Sequence, residues 1–398
     1  GSSSQGNGSG GSSSFNLASA ATSGRRFGLR SNSMAKFASR VGTVSPMVAK
    51  IIANASYMRS LIGNVAFVVP ATAAILAVIA AIQNGGLLTT PAWQIFVAIA
   101  VLGVFDAFAG FTAAIVFAIA TALIAGVTNI GDLRLLLGVL LVAVAPMMMA
   151  RAFRSRRTSA LRGATGLYEV LVDIAVMGFV VYWLGTTMVA SLPALAGTTL
   201  AVANHVGDFA LILSAAAIVR VLIEEIALRL DVNAFSEIDE AEGTAQPMQV
   251  KIAMLVIRFG LYLFVASALF GFSWLVVLGC LLFVAPVVIG WFSHLLPNSS
   301  LLWKLLPTKL AGLVLILVVS AITLAVSTQA FGTDPDAAAK TFAVLPVPLL
   351  ALSILGAFGR YGQYPGQARP VTQAKYRLVY RLGGVLILFL AMRLTGIL

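Results

Sequence analysis

Among the ionisable side chains that fall inside or at the ends of long apolar stretches of this 398-residue chain, Asp106, Arg220, Glu224, Glu225 and Arg258 stand out. A charge in apolar surroundings is costly unless it is paired, so each is a functional candidate. Asp106 stands between two glycines, in Gly103-Val104-Phe105-Asp106-Ala107-Phe108-Ala109-Gly110. At the tip of a re-entrant segment its carboxylate would bind a cation or a proton. At a cytoplasmic hairpin turn it would simply face water, and the wet turn is the expectation. Arg220 and Glu224 are four residues apart, as are Glu225 and Arg229, so each pair shares a helix face. They close the apolar run 208–226, where long side chains can reach water. Arg258 lies about 10 Å into the next run. There it needs a counter-charge, and Glu224 or Glu225 is the expected partner. Ion pairs in such a place can act as a gate between two states; a static bridge between helices is the simpler expectation.

No pattern names a catalytic residue, a cofactor or a metal. The chain has one cysteine, Cys280, inside an apolar run, and two histidines far apart, His205 and His294. A structural metal site needs a denser ligand set. Neither a phosphate-binding loop nor a hydrolase or metalloprotease motif is present, so nucleotide hydrolysis by this chain is not expected.

The elements that must hold these charges are transmembrane helices. Residues are 60% hydrophobic and only 10% charged, and the mean hydropathy is +0.98. A soluble domain carries about 25% charged residues. Apolar runs at 61–82, 92–108, 110–127, 135–150, 168–190, 208–226, 251–272, 274–293, 310–328, 342–359 and 382–398 predict an all-α polytopic transmembrane bundle of about 10–11 spans. The stretch 92–127 is the ambiguous one: a two-span hairpin, a re-entrant loop or one long helix. Basic loops at Arg151–Arg162 and Arg360–Arg381 are expected in the cytoplasm. With the amino end also inside, 92–127 crosses an even number of times. A multi-pass protein of a bacterial plasma membrane is the expected setting. The +12 net charge then reflects topology and lipid contact rather than nucleic-acid binding.

Part of the sequence is written twice in the same direction. Leu137-Gly138-Val139-Leu140-Leu141 leads to Val144-Ala145-Pro146, and Leu278-Gly279-Cys280-Leu281-Leu282 leads to Val284-Ala285-Pro286. This predicts a parallel internal repeat, 110–226 with 251–359, with 382–398 echoing 251–272. Pro146 and Pro286 become candidate helix kinks at equivalent positions, able to open a cavity. Residues 1–32 read as a disordered Ser/Gly-rich linker and basic arm, 33–60 as an amphipathic interfacial helix, and 61–398 as the transmembrane domain. The basic arm is expected to touch anionic lipid, and the acidic loop 231–242 to dock a protein partner.

These features suggest a permease-like or channel-like bundle for a small solute. The alternative is a non-catalytic anchor or scaffold subunit of an envelope or export complex. A transporter predicts a polar cavity near Pro146 and Pro286; a scaffold predicts a filled core and an exposed apolar flank.

Overall fold

The computed structural model describes residues 40–85, 87–151, 163–230, 247–297, 299, 302, 310–359, 386, 389 and 393. The linker 1–32, the acidic loop 231–242 and nearly all of 382–398 lie outside the described residues. Those described form an all-α protein without strands. Eight of its helical segments have the length and apolarity to cross a membrane, which makes this a multi-pass membrane protein.

After a helical stretch at 40–44 come two short helices, α1 (Pro46–Ala53) and α2 (Ser56–Ile62). Ser45 caps α1 through the Val48 N–H and Pro46 occupies its first turn, as the Ser-Pro pair predicts. The pair does not lie free at an interface. Ala49, Ile51, Ile52, Ala53, Ala55 and Tyr57 are all buried, with α1 on α5 and α2 on α8. Most of the apolar side chains expected to face lipid therefore face protein, with Met47 left exposed.

The bundle follows: α3 (Val68–Gln83), α4 (Trp93–Phe105), α5 (Ala107–Ala125), α6 (Ile130–Ala150), α7 (Gly163–Ala196) and α8 (Val206–Leu230). The stretch 92–127 is two helices broken at Asp106, whose backbone is extended at φ −138° and ψ 105°. The 13 residues of α4 rise about 20 Å, short of the roughly 30 Å hydrocarbon core. A Cβ on Gly103 would lie 1.9 Å from the Ala143 carbonyl oxygen, and one on Gly110 2.4 Å from it. Only glycine at both positions lets α4, α5 and α6 meet so closely. The core here is made of small and medium side chains, including Ala77, Ala113, Phe96, Phe117, Val139 and Met147.

Five further helices complete the described chain: α9 (Met248–Phe270), α10 (Trp274–Phe292), α11 (Leu310–Phe331), α12 (Ala337–Val344) and α13 (Val347–Phe358). The run at 342–359 is thus split, with Pro346 capping α13 and Pro348 in its first turn. Their core is slight, centred on Ala266, Val276, Cys280 and Ala339. This second lobe meets the first where α9 packs on α7, and where Arg134 Nη2 donates to Ser267 Oγ at 2.8 Å with its guanidinium 5.2 Å from the Phe264 ring.

In the two stretches whose sequences are alike, the connecting turns are also alike. Gly126 ends α5 at φ 74° and Gly271 ends α9 at φ 76°, a conformation that favours glycine. Asn129 and Ser273 then cap α6 and α10. Beyond the turns the surroundings differ. Gly138 packs against Leu192 and Leu195, whereas Gly279 meets the Phe342 ring. Pro146 is buried inside α6, while Pro286 inside α10 is half-buried.

Candidate functional site

The charges gather where α4 breaks. A helix end leaves carbonyls without intrahelical donors, and the extended Asp106 creates such an end inside the bundle. α8 answers it. Arg220 points at the end of α4 and its Nη1 donates to the Val104 carbonyl. Its Nη2 donates to the Asn54 carbonyl at 3.3 Å, and Nε donates to Glu224 Oε1 at 2.8 Å. Both side chains of that pair are fully buried. The guanidinium also lies 4.9 Å from the Tyr57 ring centre, within the range of a cation–π contact. Tyr57 in turn donates its hydroxyl to the Phe105 carbonyl at 2.7 Å. Burial pushes the Tyr57 phenol above its ordinary value, against the lowering pull of Arg220, so the hydroxyl stays a donor.

The other half of the break is capped by Asp106 itself. Its Oδ1 accepts from the Phe108 N–H at 2.9 Å, starting α5. Its backbone N–H reaches Leu102, and its carbonyl accepts from Gly110. The residue is 3% exposed. The hairpin turn is therefore present and the expected wet acid is not, because α1 and α2 cover the turn. Asn54 and Ser56, at the junction of those two helices, are also buried. Asn54 donates to Met148 Sδ at 3.1 Å, which ties the arm to α6.

Three of the predicted residues thus come together: Asp106, Arg220 and Glu224. Arg220 does not reach water at a helix end as expected, since α4 and the arm enclose it. Glu225 is buried one position on and pairs with Arg229, whose side chain is exposed, at 3.6 Å. Arg258 is not brought to this site. It stands exposed on α9, which packs on α10 and α7, so neither Glu224 nor Glu225 is its partner. Asp173 sits well inside α7 and is buried. On the opposite side of the bundle His205 stacks on Trp93 at 4.5 Å and lies 3.9 Å from Asp208.

Sequence reasoning missed Tyr57 and Asn54. Both sit off the simplest apolar stripe of the arm, and a Tyr and an Asn in a helix expected to lie on lipid are the signal that could have found them. Among the described residues no three His, Cys, Asp or Glu side chains are grouped to hold a metal ion. Chemically, the cluster can seal a helix break; each of its cations and acids already has a protein partner. No protein-family model, no curated protein and no solved structure matches this chain.

Proposed function

We propose that this membrane protein is a non-catalytic scaffold or anchor subunit of a membrane assembly, in which the first lobe is a rigid body and the second lobe offers its flank. The observation that carries this reading is the sealed break between α4 and α5. Discontinuous helices in carriers leave half-helix ends open to a substrate or ion. Here the ends are occupied by Arg220, Tyr57 and the Asp106 carboxylate. Beside Pro146 the apolar side chains of Met147, Ala143 and Val142 are buried. The second lobe supplies an apolar flank: only 6% of the most apolar window of α9 is buried, against 50% for α6. Contact of the basic stretch with anionic lipid, docking through 231–242, a cytoplasmic amino end and a bacterial plasma membrane belong to the same reading.

A permease-like or channel-like role is the second reading, favoured by one observation: a buried Arg–Glu pair next to a broken helix inside the bundle. Reconstitution into sealed vesicles separates the two. A scaffold gives vesicles whose uptake of amino acids, sugars and monovalent ions matches that of protein-free controls. Saturable uptake of any one of these, abolished by Asp106→Asn, overturns the scaffold reading.

A further inference from the structure

We infer that α9 is the docking surface for a transmembrane helix of another protein, one that carries a carboxylate at the depth of Arg258. This rests on the scaffold reading and names the chemistry of its partner. Arg258 lies one residue from the midpoint of the apolar span Met248–Phe270 and is exposed. Neither a hydrogen bond nor an ion pair engages it among the described residues, and α8 keeps Glu224 and Glu225 for Arg220 and Arg229.

A cation at that depth faces a bundle interior or a paired charge; lipid tails give it neither. Snorkelling relieves basic residues near helix ends, where Lys251 stands; Arg258 is seven residues deeper, about 10 Å along the helix. The surroundings of Arg258 are apolar and equally uncovered: Val256 is 63% exposed and Ile257 54%, with Leu261 and Tyr262 beside them. An apolar face with one central unpaired cation is complementary to an apolar helix with one acid.

A second copy of this chain does not supply that acid from its described residues. Asp106, Asp173, Glu224 and Glu225 are buried. Asp132 and Asp208 lie in the first turns of α6 and α8, Glu169 lies two residues into the span Leu167–Ala196, and Asp334 and Asp336 lie in the connection before α12. No described acid of this chain thus stands exposed at the depth of Arg258, and the partner we infer is a different protein.

The test is site-specific photo-crosslinking of the full chain in its native membranes, with the photoreactive residue at Ile257 or Leu261. The expected result is one discrete adduct with another membrane protein. Its yield should fall about tenfold or more in Arg258→Leu and Arg258→Glu, the scale of losing one partner of a buried charge pair. It should persist in Arg258→Lys, and return in Arg258→Glu when the partner's mid-membrane carboxylate is replaced by lysine. Because Arg258 has no partner among the described residues of its own lobe, the purified variants should unfold at the same temperature as the parent, which separates lost docking from lost folding. Adducts with lipid alone, with a second copy of this chain, or with a protein whose yield ignores residue 258 would each overturn the inference. Solute uptake in vesicles would overturn the scaffold reading while leaving the charge dependence of the adduct standing, so the two failures are distinguishable.

Discussion

The two lobes are built from the same kind of helix and are held in opposite ways. In the first, small residues bring backbones into contact, and a buried ion pair closes a break that sequence alone would leave open. In the second, aromatic rings join α9 to α12, Phe270 on Phe342 at 4.8 Å, and to α10, Tyr262 on Phe283 at 6.1 Å, and most of α9 is uncovered. Apolarity does not explain the contrast, since α10 is among the most apolar spans and is poorly buried. Within a membrane, apolar side chains gain little by leaving lipid for protein. Association follows from close packing of small residues and from polar groups that need partners. The first lobe has both. The second leaves Arg258 without a partner among its described residues.

The contrast can be broken most sharply at Arg220. Arg220→Leu leaves Glu224 buried without its cation and frees the Val104 and Asn54 carbonyls. Losing one partner of a buried pair costs about 3–5 kcal/mol. Thermal unfolding in detergent should show a larger drop than either Gly103→Ala or Tyr57→Phe produces, and an unfolding temperature within a degree or so of the parent would mean the pair is not structural.

Next comes the glycine contact. Gly103→Ala places a Cβ against the Ala143 carbonyl, and overpacking of this kind costs about 1–3 kcal/mol. Denaturant unfolding of this variant against Gly260→Ala makes the lobes compare directly. A Cβ at Gly260 on α9 meets nothing within 4 Å, so this change should be neutral or slightly stabilising through helix propensity. Equal losses in the two variants would erase the distinction between the lobes.

A smaller loss is expected at Tyr57. Tyr57→Phe keeps the ring beside Arg220 and removes one hydrogen bond to Phe105, a cost of about 1 kcal/mol. Faster hydrogen exchange at the end of α4 would accompany it; exchange unchanged there would mean that α2 does not secure the turn.

The smallest expected signal is a labelling one. Asp106→Cys in a Cys280→Ser background should resist membrane-impermeant thiol reagents from either side, because the arm covers the turn. Rapid labelling from the cytoplasmic side would restore the wet turn and detach α1 and α2 from the bundle.

The sequence by itself determined the class of the protein and most of its local geometry. Its shortage of charge dictates a lipid solvent. Ser45-Pro46 starts α1, Gly126 and Gly271 end helices, and the four-residue spacings on α8 set Arg220 on Glu224 and Glu225 on Arg229. These follow from contacts within a turn or two of helix, which spacing encodes. Tertiary structure alone decided which charges are buried. Arg220 is enclosed by residues 116 and 166 positions away, and Arg258 is left outside because α9 packs on α10 and α7 instead of α8. Helical periodicity tells which side chains share a face. Which face meets which is settled by close approach at Gly103, Gly110 and Ala143, a matter of shape across distant segments that no local pattern carries.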